Sequence, residues 1–231
     1  MAMQSPVAFF DIDGTVFRSS LLIELVEALV REGVFPQVAR EAYEDAYWAW
    51  QSREGTYEAY IEAVVTSFRA QLRGVYYGDF ADVGRQVVGV QSKRVYRYTR
   101  DLLHELKREG YLLIAISQSP KTILDEFCAQ YGFDKVYGRV FELGPQDRFT
   151  GQGIDEHLIA NKAAIVERVF SRHPELSRQR SLAVGDTESD IPLLEAVDRP
   201  ICFNPNAVLY NHAQLREWPV VVERKDVIYH L

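Results

Sequence analysis

Val7-Ala8-Phe9-Phe10-Asp11-Ile12-Asp13-Gly14-Thr15 is the stretch that decides the architecture. Four consecutive apolar residues running into a polar turn describe a strand buried on both faces, the kind found in parallel sheets covered by helices on each side. In open sheets of that type ligands gather beyond the carboxyl ends of the strands. Asp11, Asp13 and Thr15 therefore stand where chemistry is expected. Asp-Gly after a strand is also ordinary turn chemistry, and a D-x-D-G-[ST] string arises by chance in about one chain in two hundred of this length. The rest of the sequence must separate the two readings.

The next clear strand, Tyr111 to Ile116, comes about a hundred residues later, whereas a strand-helix-strand crossover needs about thirty in all. A module is therefore inserted. Residues 19–92 are helical in pattern: LLIELVEALVREG, then QVAREAYEDAYWAWQSRE after Pro36, then TYEAYIEAVVTSFRAQLRG, with Gly33, Gly55 and Gly74 as stops. They are expected to form a four-helix cap. From Val95 helices and strands alternate: helix 95–109, strand 111–116, helix 120–131, strand 135–142, helix 160–172, strand 181–185, helix 189–196, strand 200–203, helix 206–216 and strand 219–222. That order predicts an α/β fold, a doubly wound, Rossmann-like parallel sheet. Residues 141–154 read as a hairpin or flap. The expected division is a core of residues 1–18 and 93–231 and a cap of residues 19–92.

Three further polar positions follow buried segments. Ser117 ends the second strand, Gly185-Asp186-Thr187-Glu188-Ser189-Asp190 follows Leu182 to Val184, and Lys162 opens the helix NKAAIVERVF. A carboxylate is ionised at neutral pH and needs no base to act as a nucleophile toward phosphorus, and one of the first two aspartates suits that role. Four carboxylates at one sheet edge repel each other unless a cation sits among them. Oxygen ligands without histidine or cysteine favour Mg2+. Lys162 supplies a second positive charge, and Ser117 with the backbone N–H groups after it suits phosphoryl oxygens. Each residue also has a plainer reading: Asp186 as a helix cap, Ser117 as a turn residue before Pro120, Lys162 as a solvated lysine with Lys121 as its rival.

Composition narrows the partners. A net charge of -7 with a pI near 5.3 argues against attraction to nucleic acid or anionic lipid. An anionic substrate must then be drawn by a local positive site. The 47% hydrophobic content supports a sizeable core. Cys128 and Cys202 lie far apart in apolar stretches and read as core, and the five histidines are scattered. The opening MAMQSPVAFF shows neither a signal-peptide pattern nor a membrane span, so the cytoplasm is the expected location.

With DIDGT, Ser117 in AISQSP, Lys162 in NKAAI and GDTESD in that order, the chain resembles the haloacid dehalogenase superfamily, in its phosphoserine-phosphatase-like branch with a helical cap after the first strand. The trailing PICFNPNAVLYNHAQLREWPVV also resembles that branch. The resemblance implies that Asp11 is nucleophile and metal ligand, and that Asp13 is general acid and then base, its backbone carbonyl on the metal. It further implies that Asp186 completes the protein ligands, that Asp190 acts behind them, and that Ser117 and Lys162 hold the phosphoryl group. Thr15 and Gln118, beside these strings, are expected substrate contacts, together with Ser20 and Glu24 from the cap. The substrate implied is a small phosphorylated metabolite. Where phosphoserine-specific members carry a glutamate nine residues after the nucleophile, this chain has Ser20, so phosphoserine is not the expected best substrate. Asp13 argues against dehalogenase chemistry, because a leaving alkoxide needs a proton and a halide does not. A phosphomutase or phosphotransferase, and an inactive phospholigand-binding protein, remain as alternatives. In the cap, Tyr43, Tyr47 and Trp50 share a helical face with Trp48, Tyr57, Tyr60 and Phe68 nearby, which reads as core packing or as a pocket for an apolar or cationic group.

Overall fold

The computed structural model describes residues 5–231; the first four residues, on which part of the N-terminal reading rests, lie outside the described residues. Strand β1 (Val7–Asp11) is buried along its whole length. Its residues alternate between two apolar clusters, Ala8 and Phe10 on one face and Val7 and Phe9 on the other. This is why the strand is apolar at every position.

Helices α1 (Leu21–Arg31), α2 (Val38–Gln51), α3 (Tyr57–Leu72) and α4 (Tyr77–Gln91) follow, so the insert has the four helices expected. The rest runs α5 (Arg97–Arg108), β2 (Leu112–Pro120), α6 (Lys121–Gln130), β3 (Lys135–Leu143), β4 (Phe149–Ile154), α7 (Glu156–Ala160) and α8 (Lys162–Arg172), and then β5 (Leu182–Gly185), α9 (Ile191–Glu195), β6 (Arg199–Phe203), α10 (Ala207–Arg216), β7 (Val220–Arg224) and β8 (Val227–His230). The sheet order is β4-β3-β2-β1-β5-β6-β7-β8. Pairing is parallel from β3 across to β7, and β4 and β8 pair antiparallel at the two edges. Leu103 and Leu106 of α5 and Ile123, Leu124 and Phe127 of α6 cover one face, and the apolar side chains of α7 to α10 cover the other. The fold is the Rossmann-like α/β sheet with a helical cap read from the sequence.

Three details depart from the expected boundaries. β2 runs past Ile116 to Pro120, with an irregular register against β3 between those residues. The helix expected over 160–172 is broken at Asn161, whose side chain accepts from the Ala164 N–H at 3.1 Å and starts α8 afresh at Lys162. β8 was not anticipated, since its four residues form an edge hairpin with β7 and its burial pattern is mostly exposed. The segment 141–154 is the antiparallel β3–β4 hairpin. Its tip is bonded to the insert, with Gly74 N–H on the Phe149 carbonyl at 2.8 Å and Phe149 N–H on the Val75 carbonyl at 3.0 Å. One apolar cluster runs from the sheet through α1 into the insert, joining Phe10 to Leu25, Phe68 and Phe80. Cys128 and Cys202 are free and buried.

Candidate active site

β1 delivers Asp11 to the carboxyl edge of the sheet, where β2 ends alongside it and β5 on the other side. The chain then folds back tightly: the N–H groups of Val16 and Phe17 both reach the Ile12 carbonyl, at 3.0 and 2.8 Å. Gly14 sits in this turn at φ +83°, and a Cβ there would collide with the Asp186 carboxylate. Glycine is thus required by both backbone conformation and space. Gly185 is required by space alone, because its Cβ would lie 2.5 Å from the Asp190 side chain.

The buried Lys162 ammonium bridges Asp11 Oδ1 at 2.6 Å and Asp190 Oδ1 at 2.5 Å. The other Asp190 oxygen accepts from the N–H groups of Asp186 and Thr187, at 3.0 and 3.1 Å, fixing the loop that presents Asp186. Asp186 in turn accepts from the Thr15 hydroxyl at 3.0 Å. Ligand oxygens of Asp11, Asp186 and Asp190 all lie within 4.8 Å of one another. Burial works against the Lys162 ammonium, but Asp11 and Asp190 outweigh it and hold its pKa above the ordinary lysine value. Three carboxylates share one ammonium. Burial accordingly raises Asp11 well above the ordinary aspartate value although Lys162 pulls it down, and burial raises Asp186 likewise, with Asp11 and Asp190 adding to it. The excess of two negative charges on hard oxygen donors, with no soft ligand among them, fits a divalent cation such as Mg2+.

Asp13 is set apart from this cluster. One carboxylate oxygen accepts from the Leu21 N–H at 2.5 Å, so it caps the first turn of α1, and the other accepts from the hydroxyls of Ser117 at 2.5 Å and Ser119 at 2.8 Å. Ser119 was missed by the sequence reading. It reaches Asp13 because β2 continues beyond Ile116, a boundary that the apolar run does not mark. Lys121, the rival to Lys162, lies at the surface in an i,i+4 pair with Asp125. Gln118 is exposed and accepts from Arg139 Nη2 at 2.6 Å. Ser20 is buried at the start of α1, and Glu24 is paired with Arg94 at 2.7 Å. The structure therefore brings Asp11, Asp13, Thr15, Ser117, Lys162, Asp186 and Asp190 to one edge, and leaves Gln118 at its exposed rim.

The arrangement is an aspartate-rich strand edge on a Rossmann-type sheet that carries a helical cap. Residues 8–195 match the model of the haloacid dehalogenase-like hydrolase family, and the chain belongs to that family. It is 23% identical over 219 residues to a histidinol-phosphatase of Neisseria meningitidis, covering 93% of this chain and 97% of that one. It is also 23% identical over 216 residues to a phosphoserine phosphatase of Mycobacterium tuberculosis, covering 92% of this chain and 69% of that one. A solved structure of a phospho-aspartyl intermediate analogue of phosphoserine phosphatase shares the fold, with a TM-score of 0.61 at 20% identity, covering 96% of this chain and 95% of that one. No helix among the described residues is long and apolar enough to cross a membrane.

Proposed function

We propose that the chain is a magnesium-dependent phosphatase that hydrolyses a small phosphomonoester by way of a phosphorylated Asp11. The observation that supports this most directly is the Lys162 ammonium held between Asp11 and Asp190 inside a cluster of three carboxylates. Lys162 orients Asp11 and pulls its pKa down against the burial that raises it, favouring the ionised nucleophile once a cation joins it. The side chains of Asp11 and Asp186 and the backbone carbonyl of Asp13 would hold the ion. A magnesium ion bound there would supply positive charge to the transferring phosphoryl oxygens.

In this reading an Asp11 carboxylate oxygen forms the bond to phosphorus as the ester P–O bond breaks, and Asp13 gives a proton to the departing alkoxide. Asp13 then takes a proton from the water that attacks the acyl phosphate, which releases phosphate and restores Asp11. Ser119 holds the Asp13 carboxylate in place for both steps, while Ser117 turns from Asp13 to a phosphoryl oxygen when substrate arrives. Residues 19–92 act as a cap over a core of residues 1–18 and 93–231, and the reaction takes place in the cytoplasm. The substrate is a small phosphorylated metabolite. The related enzymes carry the names of a histidinol phosphatase and a phosphoserine phosphatase, and the buried Ser20 offers no charge to an amino group. Phosphoserine is therefore not the preferred substrate.

The test is phosphate release from a panel of metabolite phosphates, with magnesium and with excess EDTA, followed by trapping of the labelled intermediate. Expected are turnover that requires the metal and label on Asp11. Full turnover in EDTA, or label on any other residue, overturns the reading.

A further inference from the structure

Above the catalytic turn at Gly14 opens a cavity of ≈ 620 Å³ whose wall includes Tyr43, Tyr47, Trp50, Tyr57, Tyr60 and Glu27. The rings form one connected set. Trp50 stacks on Tyr60, with centroids 5.5 Å apart and planes 11° from parallel. Tyr57 meets Trp50 edge-on at 5.3 Å and Tyr47 meets Tyr60 at 5.4 Å. Tyr43 and Tyr60 are buried and belong to the apolar core, whereas Tyr47, Trp50 and Tyr57 are half-buried. The helical stripe thus serves core packing on one side and lines the cavity on the other.

The charges around the rings are not equivalent. Glu24 and Arg94 neutralise each other at 2.7 Å. Glu27 accepts from the Tyr43 hydroxyl at 2.8 Å, but its guanidinium neighbour Arg40 stands 3.7 Å away with 53% of its side chain exposed. Of the two paired glutamates, Glu27 has the longer and more exposed guanidinium contact, so a bound cation competes for it more readily than for Glu24. Arg18, the remaining cation on the wall, is exposed and lies over the Tyr96 ring. At the other end of the box Tyr57 shares the cavity wall with Gly14 of the catalytic turn. The box runs from the catalytic turn at Gly14 to Glu27. The negative faces of aromatic rings attract cations and repel anions, most strongly where water is excluded.

We propose that the non-phosphoryl end of the substrate is a cation, an alkylated ammonium or a protonated ring nitrogen, seated against Trp50 and Tyr57 with Glu27 as its counter-charge. This rests on the phosphatase reading above, and the test is arranged to separate the two. Phosphocholine and its neutral isostere 3,3-dimethylbutyl phosphate are compared by kcat/KM with magnesium present, in the full chain and in its Glu27→Gln and Trp50→Leu variants. In parallel, choline and 3,3-dimethylbutanol are titrated by calorimetry without phosphate. The cationic ester is expected to lead by at least about tenfold, and the lead is expected to shrink to threefold or less in each variant. Because the ratio is taken within one preparation, a smaller folded fraction cancels. Equal kcat/KM in the unmodified chain, or a ratio untouched by both substitutions, overturns the cation box and leaves the hydrolysis standing. If neither ester turns over while choline still binds about tenfold more tightly than 3,3-dimethylbutanol, the box stands and the phosphatase reading falls. Neither turnover nor a binding preference overturns both.

Discussion

The strand-edge floor of the site consists of four aspartates, a lysine and two serines tied by hydrogen bonds of 2.5 to 3.1 Å, whereas the cap wall consists of rings in mutual contact and glutamates paired at its edge. In the floor each aspartate has an assigned donor, so a lost group leaves a buried charge or a misdirected nucleophile. In the wall the contacts are broad and weakly directional, so a lost ring loosens a preference. Such a division lets one catalytic edge serve substrates that differ at the far end. It also predicts where a substitution acts, on kcat or on the choice of substrate.

The comparison breaks most visibly at Asp11. Asp11→Asn is expected to lower kcat by about a thousandfold or more, roughly 4 kcal/mol of transition-state stabilisation, while circular dichroism shows an intact fold. Activity within tenfold of the parent would place the chemistry elsewhere. Lys162→Met should cost about a hundredfold in kcat and about 3 kcal/mol in chemical denaturation without metal, since it leaves Asp11 and Asp190 uncompensated. A denaturation midpoint equal to the parent's would show that the bridge holds nothing in place.

Magnesium sharpens the same contrast through stability. Burial raises Asp11 and Asp186 above the ordinary aspartate value, so the native chain keeps protons that the unfolded chain has released. Ion-free stability therefore falls as pH rises from about 4 through the raised values, and the full cost remains above them. A divalent ion offsets that cost only where the carboxylates are ionised. Saturating magnesium should raise Tm by about 5 °C at pH 7.5 and by less at pH 5. Equal shifts at the two pH values would move the ion away from this cluster.

Smaller effects mark the rim. Ser119→Ala removes one of two hydroxyls on Asp13 and should lower kcat about tenfold, more for substrates with poor leaving groups than for p-nitrophenyl phosphate. A uniform loss across leaving groups would detach Ser119 from the proton transfer. Lys121→Ala should change kcat/KM by less than twofold and stability by about 0.3 kcal/mol, the scale of an exposed i,i+4 pair. A large loss of activity there would restore Lys121 as the functional lysine.

The sequence by itself determined the sheet, the four helices that follow its first strand and the polar strings at the strand ends. An apolar run too short for a helix, a gap too long for a simple crossover and polar strings placed directly after buried strands are all local signals, and each is set by what a buried strand demands of its own residues. Only the tertiary structure decided what met across long separations. Lys162 and Asp11 lie 151 positions apart, and Lys162 faces inward because the helix restarts at Asn161. Ser119 joined Asp13 because β2 overruns its apolar segment. The ring stripe of α2 and α3 was legible as a helical face, but helical spacing states which residues share a face and not which neighbour that face meets. Packing of α2 and α3 on each other and on α1 settled that Tyr43 and Tyr60 are buried while Trp50 and Tyr57 stay half-buried on the same cavity wall, because burial is a property of the assembled chain.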